Sequence, residues 1–341
     1  MKCTYRAAKL LKENNQLKVH STYRHTVNVI VENRIFAFHQ DVISATPLSL
    51  SLPFSAEEFE KFETEAQRTG IVTLYRRDSG YQKEEPQSYW IKTGNFRKDT
   101  GELFLWEDEL KEPVKKEIKK EISKKAERKK QENISEKTEN PDKENTDKEN
   151  IDKRRIDKGN IENTLSELFP VLSQNYQKGG FSDCAVTCEK RENDSFIMGI
   201  LRQKTAQILS EENDNDFENN ICSLIGLGPG LTPSGDDFIT GLLLAFSLCS
   251  FQKNIRKKTE QKKQKICKVV SDNLERTNDI SREYLICAME NRFGELYHIL
   301  QKEFYHREVR KDIFYKIIRT GHSSGIDTLN GFAVGLQLAE R

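Results

Sequence analysis

The sequence predicts an α+β protein: a small β-rich N-terminal domain, a charged disordered linker and a mostly α-helical C-terminal domain. Three observations carry this. Over residues 15–110, β-branched and aromatic residues alternate with polar ones. Over 111–160, charge dominates and aromatic residues are absent. Over 161–341, apolar residues recur at three- and four-residue spacing. The first pattern is that of half-buried strands and the last that of helices with one buried face.

The opening MKCTYRAAKLLKENN is basic and has no apolar core of the length a signal peptide needs. In TVNVIVENRIFAFHQ, Val27, Val29 and Val31 share one face of a strand. Glu32-Asn33 makes the turn, and Ile35 to Phe38 resumes. GIVTLYRRD and GELFLWEDEL are further short strands. Ser55 followed by Glu58 has the spacing of a capping box, so a helix is expected to start there.

In the charged stretch, DKENTDKENIDK repeats a five-residue unit. Such a segment cannot bury enough apolar area to offset its ordering entropy. It also explains a composition that is 35% hydrophobic and 32% charged. Acids interleave with its lysines, and the formal net charge of the chain is only +1. That argues against nucleic acid or an anionic membrane as a partner. The longest apolar run, Gly241 to Phe251, falls far short of the roughly 20 residues a membrane span needs. The seven cysteines include no CxxC pair. Cys184 and Cys188 have the spacing to share a helix face, but no histidine pattern completes a zinc site beside them. A reducing cytoplasm, no structural metal and no cofactor are therefore expected.

Helices are predicted at NTLSELFPVLSQ, FIMGILRQKTAQILS, DFITGLLLAFSLCSF, KICKVVSDNLERT, SREYLICAMENRFGELYHILQKEF, VRKDIFYKIIRTG and DTLNGFAVGLQLAE. One pattern occurs twice at helix entrances. Ser234-Gly235-Asp236-Asp237 leads through Gly241 into Leu-Leu-Leu-Ala, and Ser324-Gly325-Ile326-Asp327 leads through Gly331 into Phe-Ala-Val-Gly. Serine suits a helix N-cap, glycine a tight turn, and aspartate the positive end of a helix. Gly241 and Gly331 fall inside the helices, at a cost of about 1 kcal/mol each relative to alanine. That cost implies close approach of another backbone.

The first entrance follows Gly226-Leu-Gly228-Pro-Gly230-Leu-Thr232-Pro. No lysine follows these glycines, so this is not a Walker A loop. A glycine-rich helix entrance is an anion site by its free N–H groups, yet here it already carries two aspartates. The aspartates either point away as caps or bind a metal or a polar amide. His322 precedes the second entrance and is a candidate acid or base. Thr277 and Ser281 lie on one helix face, and matter only if that face meets the loops.

GLGPGLTPSGDDFITGLL with GHSSGIDTLNGF downstream resembles a bacterial domain family that includes a subunit of the oxamate carbamoyltransferase of allantoin breakdown. The intervening TNDISREYLICAMENRFGELYHIL is similar too. The resemblance covers 161–341 well and the β half loosely. It implies conversion of oxalurate and phosphate to oxamate and carbamoyl phosphate, within a multi-subunit assembly. On this resemblance, Asp236, Asp237, His322 and Asp327 are the catalytic candidates. Gly228, Gly230, Thr232, Ser234, Gly235, Ser323, Ser324 and Gly325 are the candidates for binding an anionic substrate. Neither loop contains lysine or arginine, so Arg276, Arg282 or a partner subunit would have to supply positive charge. A non-catalytic anion-binding or scaffold subunit is the alternative.

Overall fold

The computed structural model describes residues 2–13, 15–40, 46–76, 88–111, 148–192, 194–210, 213–252 and 254–341. The charged linker expected over 111–160 falls largely on 112–147, outside the described residues; its last part, 148–160, is helical rather than disordered.

The N-terminal part is a sheet of nine strands among the described residues: β1 (Lys2–Thr4), β2 (Gln16–Tyr23), β3 (Thr26–Val31), β4 (Arg34–Gln40), β5 (Ser49–Leu52), β6 (Ile71–Arg76), β7 (Ser88–Thr93), β8 (Phe96–Glu102) and β9 (Phe104–Trp106). Their order is β8-β7-β6-β2-β3-β4-β5-β1-β9. The two edge strands, β8 and β9, are consecutive in the chain with only Leu103 between them, so the sheet curls back toward itself. The β3–β4 hairpin turns at Glu32 and Asn33, both left-handed (φ 51° and 63°), as a two-residue hairpin loop requires. Val27, Val29 and Val31 all face the core.

Helix α1 (Tyr5–Glu13) was not foreseen. Helix α2 (Ala56–Thr69) begins with the expected capping box: the Glu58 N–H donates to Ser55 Oγ, and the Ser55 N–H donates to the Glu58 carboxylate. It lays Phe59, Phe62 and Ala66 against the sheet, where Phe62 meets Phe38 edge-to-face at 6.1 Å.

The C-terminal part is helical: α3 (Lys148–Gln174), α4 (Phe196–Ser210), α5 (Asp214–Leu224), α6 (Ser234–Cys249), α7 (Arg256–Ser271), α8 (Asp279–Met289), α9 (Glu295–His306), α10 (Lys311–Ile318) and α11 (Ser324–Glu340). The long run from Ser281 to Phe304 divides into α8 and α9 at Asn291 (φ 60°) and Gly294, which caps α9. Helix α5 had no strong apolar period; Asn213 caps it by accepting the Asp216 N–H. Cys184 lies in a turn and Cys188 in irregular backbone, neither on a helix, and all seven cysteines are free thiols.

Helices α6 and α11 are apolar nearly all round and almost wholly buried, as the central pair of a bundle must be. Around them, α8 and the link to α9 fasten the bundle to the sheet. The Arg34 guanidinium donates from Nε to both Glu283 carboxylate oxygens at 2.7 and 2.8 Å. Cys287 belongs to the sheet's own core. The N–H of Phe293 donates to the Asp108 carbonyl and that of Leu110 to the Asn291 carbonyl, each at 2.8 Å.

Candidate functional site

The two repeated entrances stand side by side. Four glycines make this possible by removing atoms that would otherwise collide. A Cβ on Gly241 would lie 2.0 Å from the Thr328 carbonyl oxygen, and one on Gly331 would lie 1.9 Å from that of Phe238. Phe238 and Thr328 hold equivalent positions in the two copies, so the contact is reciprocal. Six residues earlier, Gly235 packs on the Leu224 carbonyl of α5 and Gly325 on the Ile317 carbonyl of α10 (1.9 Å to a Cβ in each case). Each entrance glycine thus seats its helix on the helix before it, and each later glycine seats it on the other copy.

This packing brings the two N-termini together. The Thr232 and Ser324 hydroxyls are hydrogen-bonded at 2.7 Å across the junction. The side chains cross over: the hydroxyls of Ser324 and Thr232 lie against Asp237, and those of Ser234 and Ser323 against Asp327. Asp327 is fully buried and accepts the Phe181 N–H at Oδ1, 2.5 Å away. Burial pushes its carboxyl up to about 7, against the opposing pull of that N–H and of the serines. Asp237 stands well above the ordinary carboxylate range, first because of burial and then because of the nearby charge of Asp327. The Oδ2 atoms of both aspartates are buried without a hydrogen-bond partner.

The two adjacent aspartates of the first entrance have separate fates. Asp236 turns inward. Its carboxylate accepts the Gly226 N–H at 2.8 Å, the Ser281 hydroxyl at 2.7 Å and the Thr277 hydroxyl. Both hydroxyls therefore do meet the loop and tie it down, but they do not share a helix face: Ser281 is in α8, while Thr277 is extended backbone just before it. Asp237 faces the junction. Of its two acidic neighbours, Asp327 across the junction raises the Asp237 carboxyl more than Asp236 beside it in the chain.

Above this floor, Gly228, Pro229, Gly230 and Leu231 are exposed, and a Cβ on Gly230 would meet only open space. Gly228 and Gly230 are left-handed (φ 122° and 98°), so the loop needs glycine there for its path. His322 is exposed beside the second entrance. The Gly235 N–H donates to the Leu227 carbonyl and that of Gly325 to the Thr320 carbonyl, so neither is free to hold an anion. Arg276 reaches Cys222 Sγ, and Arg282 is spent on Asp279 and the Leu274 carbonyl.

Two parts of the site were missed in the sequence. The segment 179–185 straps the second entrance: Gly180 leaves room for the Asp327 carboxylate, Phe181 stacks on Phe238 at 4.2 Å, and the Ala185 N–H donates to Asn330 Oδ1. The Gly179-Gly180 pair was the available signal. Half-buried Tyr284 of α8 and Tyr297 of α9 also approach Asp237, whose charge adds to burial in raising both phenols. Nothing in their spacing marked them.

Among the described residues, no helix is long and apolar enough to cross a membrane. No solved structure matches the chain. Residues 224–336 match the family model of the oxamate carbamoyltransferase subunit AllH. The match runs from the last residue of α5 through both helix entrances into α11. Over that stretch the chain carries the signature of a family that includes oxamate carbamoyltransferase subunit AllH.

Proposed function

We propose that this protein is a cytoplasmic subunit of an oxamate carbamoyltransferase-like enzyme of allantoin and purine nitrogen breakdown. The reaction converts oxalurate and phosphate to oxamate and carbamoyl phosphate. The observation that carries the reading is the meeting of the two family-matched entrances at one buried carboxyl pair.

In this reading a phosphate oxygen attacks the carbamoyl carbon and the bond from that carbon to the oxamate nitrogen breaks. The proton released from phosphate goes to the leaving nitrogen, and His322 at the rim is its carrier. Asp237 accepts the N–H groups of the carbamoyl amide, with Asp327 as the second acidic group of the site. The open loop around Gly228 and Gly230, with Thr232, receives the anionic end of a substrate. Asp236 holds the loop in place and touches no substrate. Transfer of this kind needs little covalent help from protein, and positioning plus stabilisation of the developing oxyanion supply most of the rate.

The alternative, a non-catalytic subunit that binds a small anion or serves as scaffold, draws support from one observation. Both nearby arginines are engaged elsewhere, so positive charge for two anionic substrates has to come from outside the loops. The test is phosphate-dependent oxalurate cleavage by the chain alone and with the products of neighbouring genes. Asp237→Ala and His322→Ala are expected to lower turnover by roughly 100-fold or more. Unchanged turnover in both, with the assembly intact, leaves the scaffold reading.

A further inference from the structure

We infer that the junction of the two helix entrances is a site for one hard divalent cation of the Mg²⁺ or Mn²⁺ type, held by Asp237 and Asp327. The two entrances meet at the Thr232–Ser324 hydrogen bond, and each carries an aspartate whose Oδ2 is buried there. Asp327 is fully buried, and its Oδ2 has no hydrogen-bond partner; Asp237 Oδ2 is buried in the same condition. Burying unpaired carboxylate oxygens is costly, and a cation relieves both at once. The side-chain atoms nearest them are the hydroxyl oxygens of Thr232, Ser234, Ser323 and Ser324, and Asp327 Oδ1 also accepts the Phe181 N–H. An all-oxygen set suits Mg²⁺ or Mn²⁺ rather than zinc or copper.

Among the described residues, no group of three or more His, Cys, Asp or Glu side chains has metal-holding geometry. Two carboxylates therefore leave most of the coordination shell to hydroxyls, water and a ligand. Mg²⁺ commonly binds this way, through one or two carboxylates plus substrate oxygens. The cation also supplies positive charge beside loops that contain no basic side chain. The competing occupant of the pair is a shared proton.

The test does not depend on the reaction. The purified full chain, stripped with chelator, is titrated with Mn²⁺ near neutral pH, and free Mn²⁺ is read by electron paramagnetic resonance. One saturable site is expected, displaced by excess Mg²⁺. Asp237→Asn and Asp327→Asn, which keep side-chain shape, should each weaken it by roughly 10-fold or more. A second measurement needs no variant: Fe²⁺ with ascorbate should cut the wild-type backbone near 226–237 and 321–327, and Mg²⁺ should suppress the cuts. Absence of saturable Mn²⁺ binding overturns the proposal in favour of the shared proton. So does binding unchanged in both variants, or cutting confined to other segments.

Discussion

The two helix entrances share a plan and differ in what holds them. Both use a glycine to sit on the preceding helix, a glycine to sit on each other, and an aspartate to reach the junction. The first is tied from below: Asp236 binds the Gly226 N–H, the Thr277 hydroxyl and the hydroxyl of Ser281 in the neighbouring α8. The second is tied from above, where the strap 179–185 donates to Asp327 and Asn330. The shared residues are those that backbone contact and the carboxyl pair require. The residues that differ are the fastenings, and the first entrance alone has an exposed glycine loop. The loop is the specialised part, and the paired helices are the common frame.

The equivalence of the two copies can be broken most severely at the contact glycines. Gly241→Ala and Gly331→Ala each drive a Cβ to about 2 Å from a carbonyl oxygen. Each is expected to cost ~3 kcal/mol or more in urea denaturation, by similar amounts. One neutral and one destructive substitution would end the reciprocity.

A second test separates the neighbouring aspartates. Asp236→Ala strips the acceptor from two buried hydroxyls and a part-buried N–H, and should cost about 2–3 kcal/mol. Asp237→Asn, at a carboxyl that favours its neutral form, should cost much less in the same denaturation series. Equal losses would mean that the two side chains do the same job.

The third test uses pH, without added divalent cation. The Asp327 carboxyl is raised to about 7 in the folded protein. Its contribution to stability is then full below the ordinary carboxylate range and is lost as pH rises through about 7. Asp327→Asn resembles the neutral acid. It should be more stable than the parent above pH ~8, by on the order of a few kcal/mol, with the difference fading toward pH ~4. The reverse trend in thermal unfolding would show that the carboxylate is favoured when buried.

The smallest effect is expected in the exposed loop. Gly230→Ala meets no atoms and is strained only by its φ of 98°, so a loss of about 1 kcal/mol is expected. A larger loss would show that the loop is packed rather than open.

Much of this was legible in the sequence because it is local. Strand alternation, the Ser55 cap and the Glu32-Asn33 turn are all set by neighbours within a few residues. The repeat also gave the close helix approach, since a glycine inside a buried helix has few other uses. The carboxyl pairing was not legible. Asp236 and Asp237 are adjacent in the chain but point different ways on the helix, while Asp237 and Asp327 meet only through tertiary packing. The strap and the two tyrosines come from other elements, and periodicity says nothing about which elements meet. Helix α5 was missed because its tertiary burial, through Phe217, Ile221 and Leu224, outweighs a polar sequence.

The six-residue spacing of Gly235 to Gly241, matched by Gly325 to Gly331, has an evolutionary consequence. Each glycine must face its own neighbour, and one inserted residue turns everything beyond it by about 100° around the helix axis. An insertion or deletion inside either interval would swing a side-chain-bearing residue onto a carbonyl and take the aspartate out of the junction. Length variation in this chain is therefore confined to places outside the two intervals, and gaps should be absent within them in any set of working relatives.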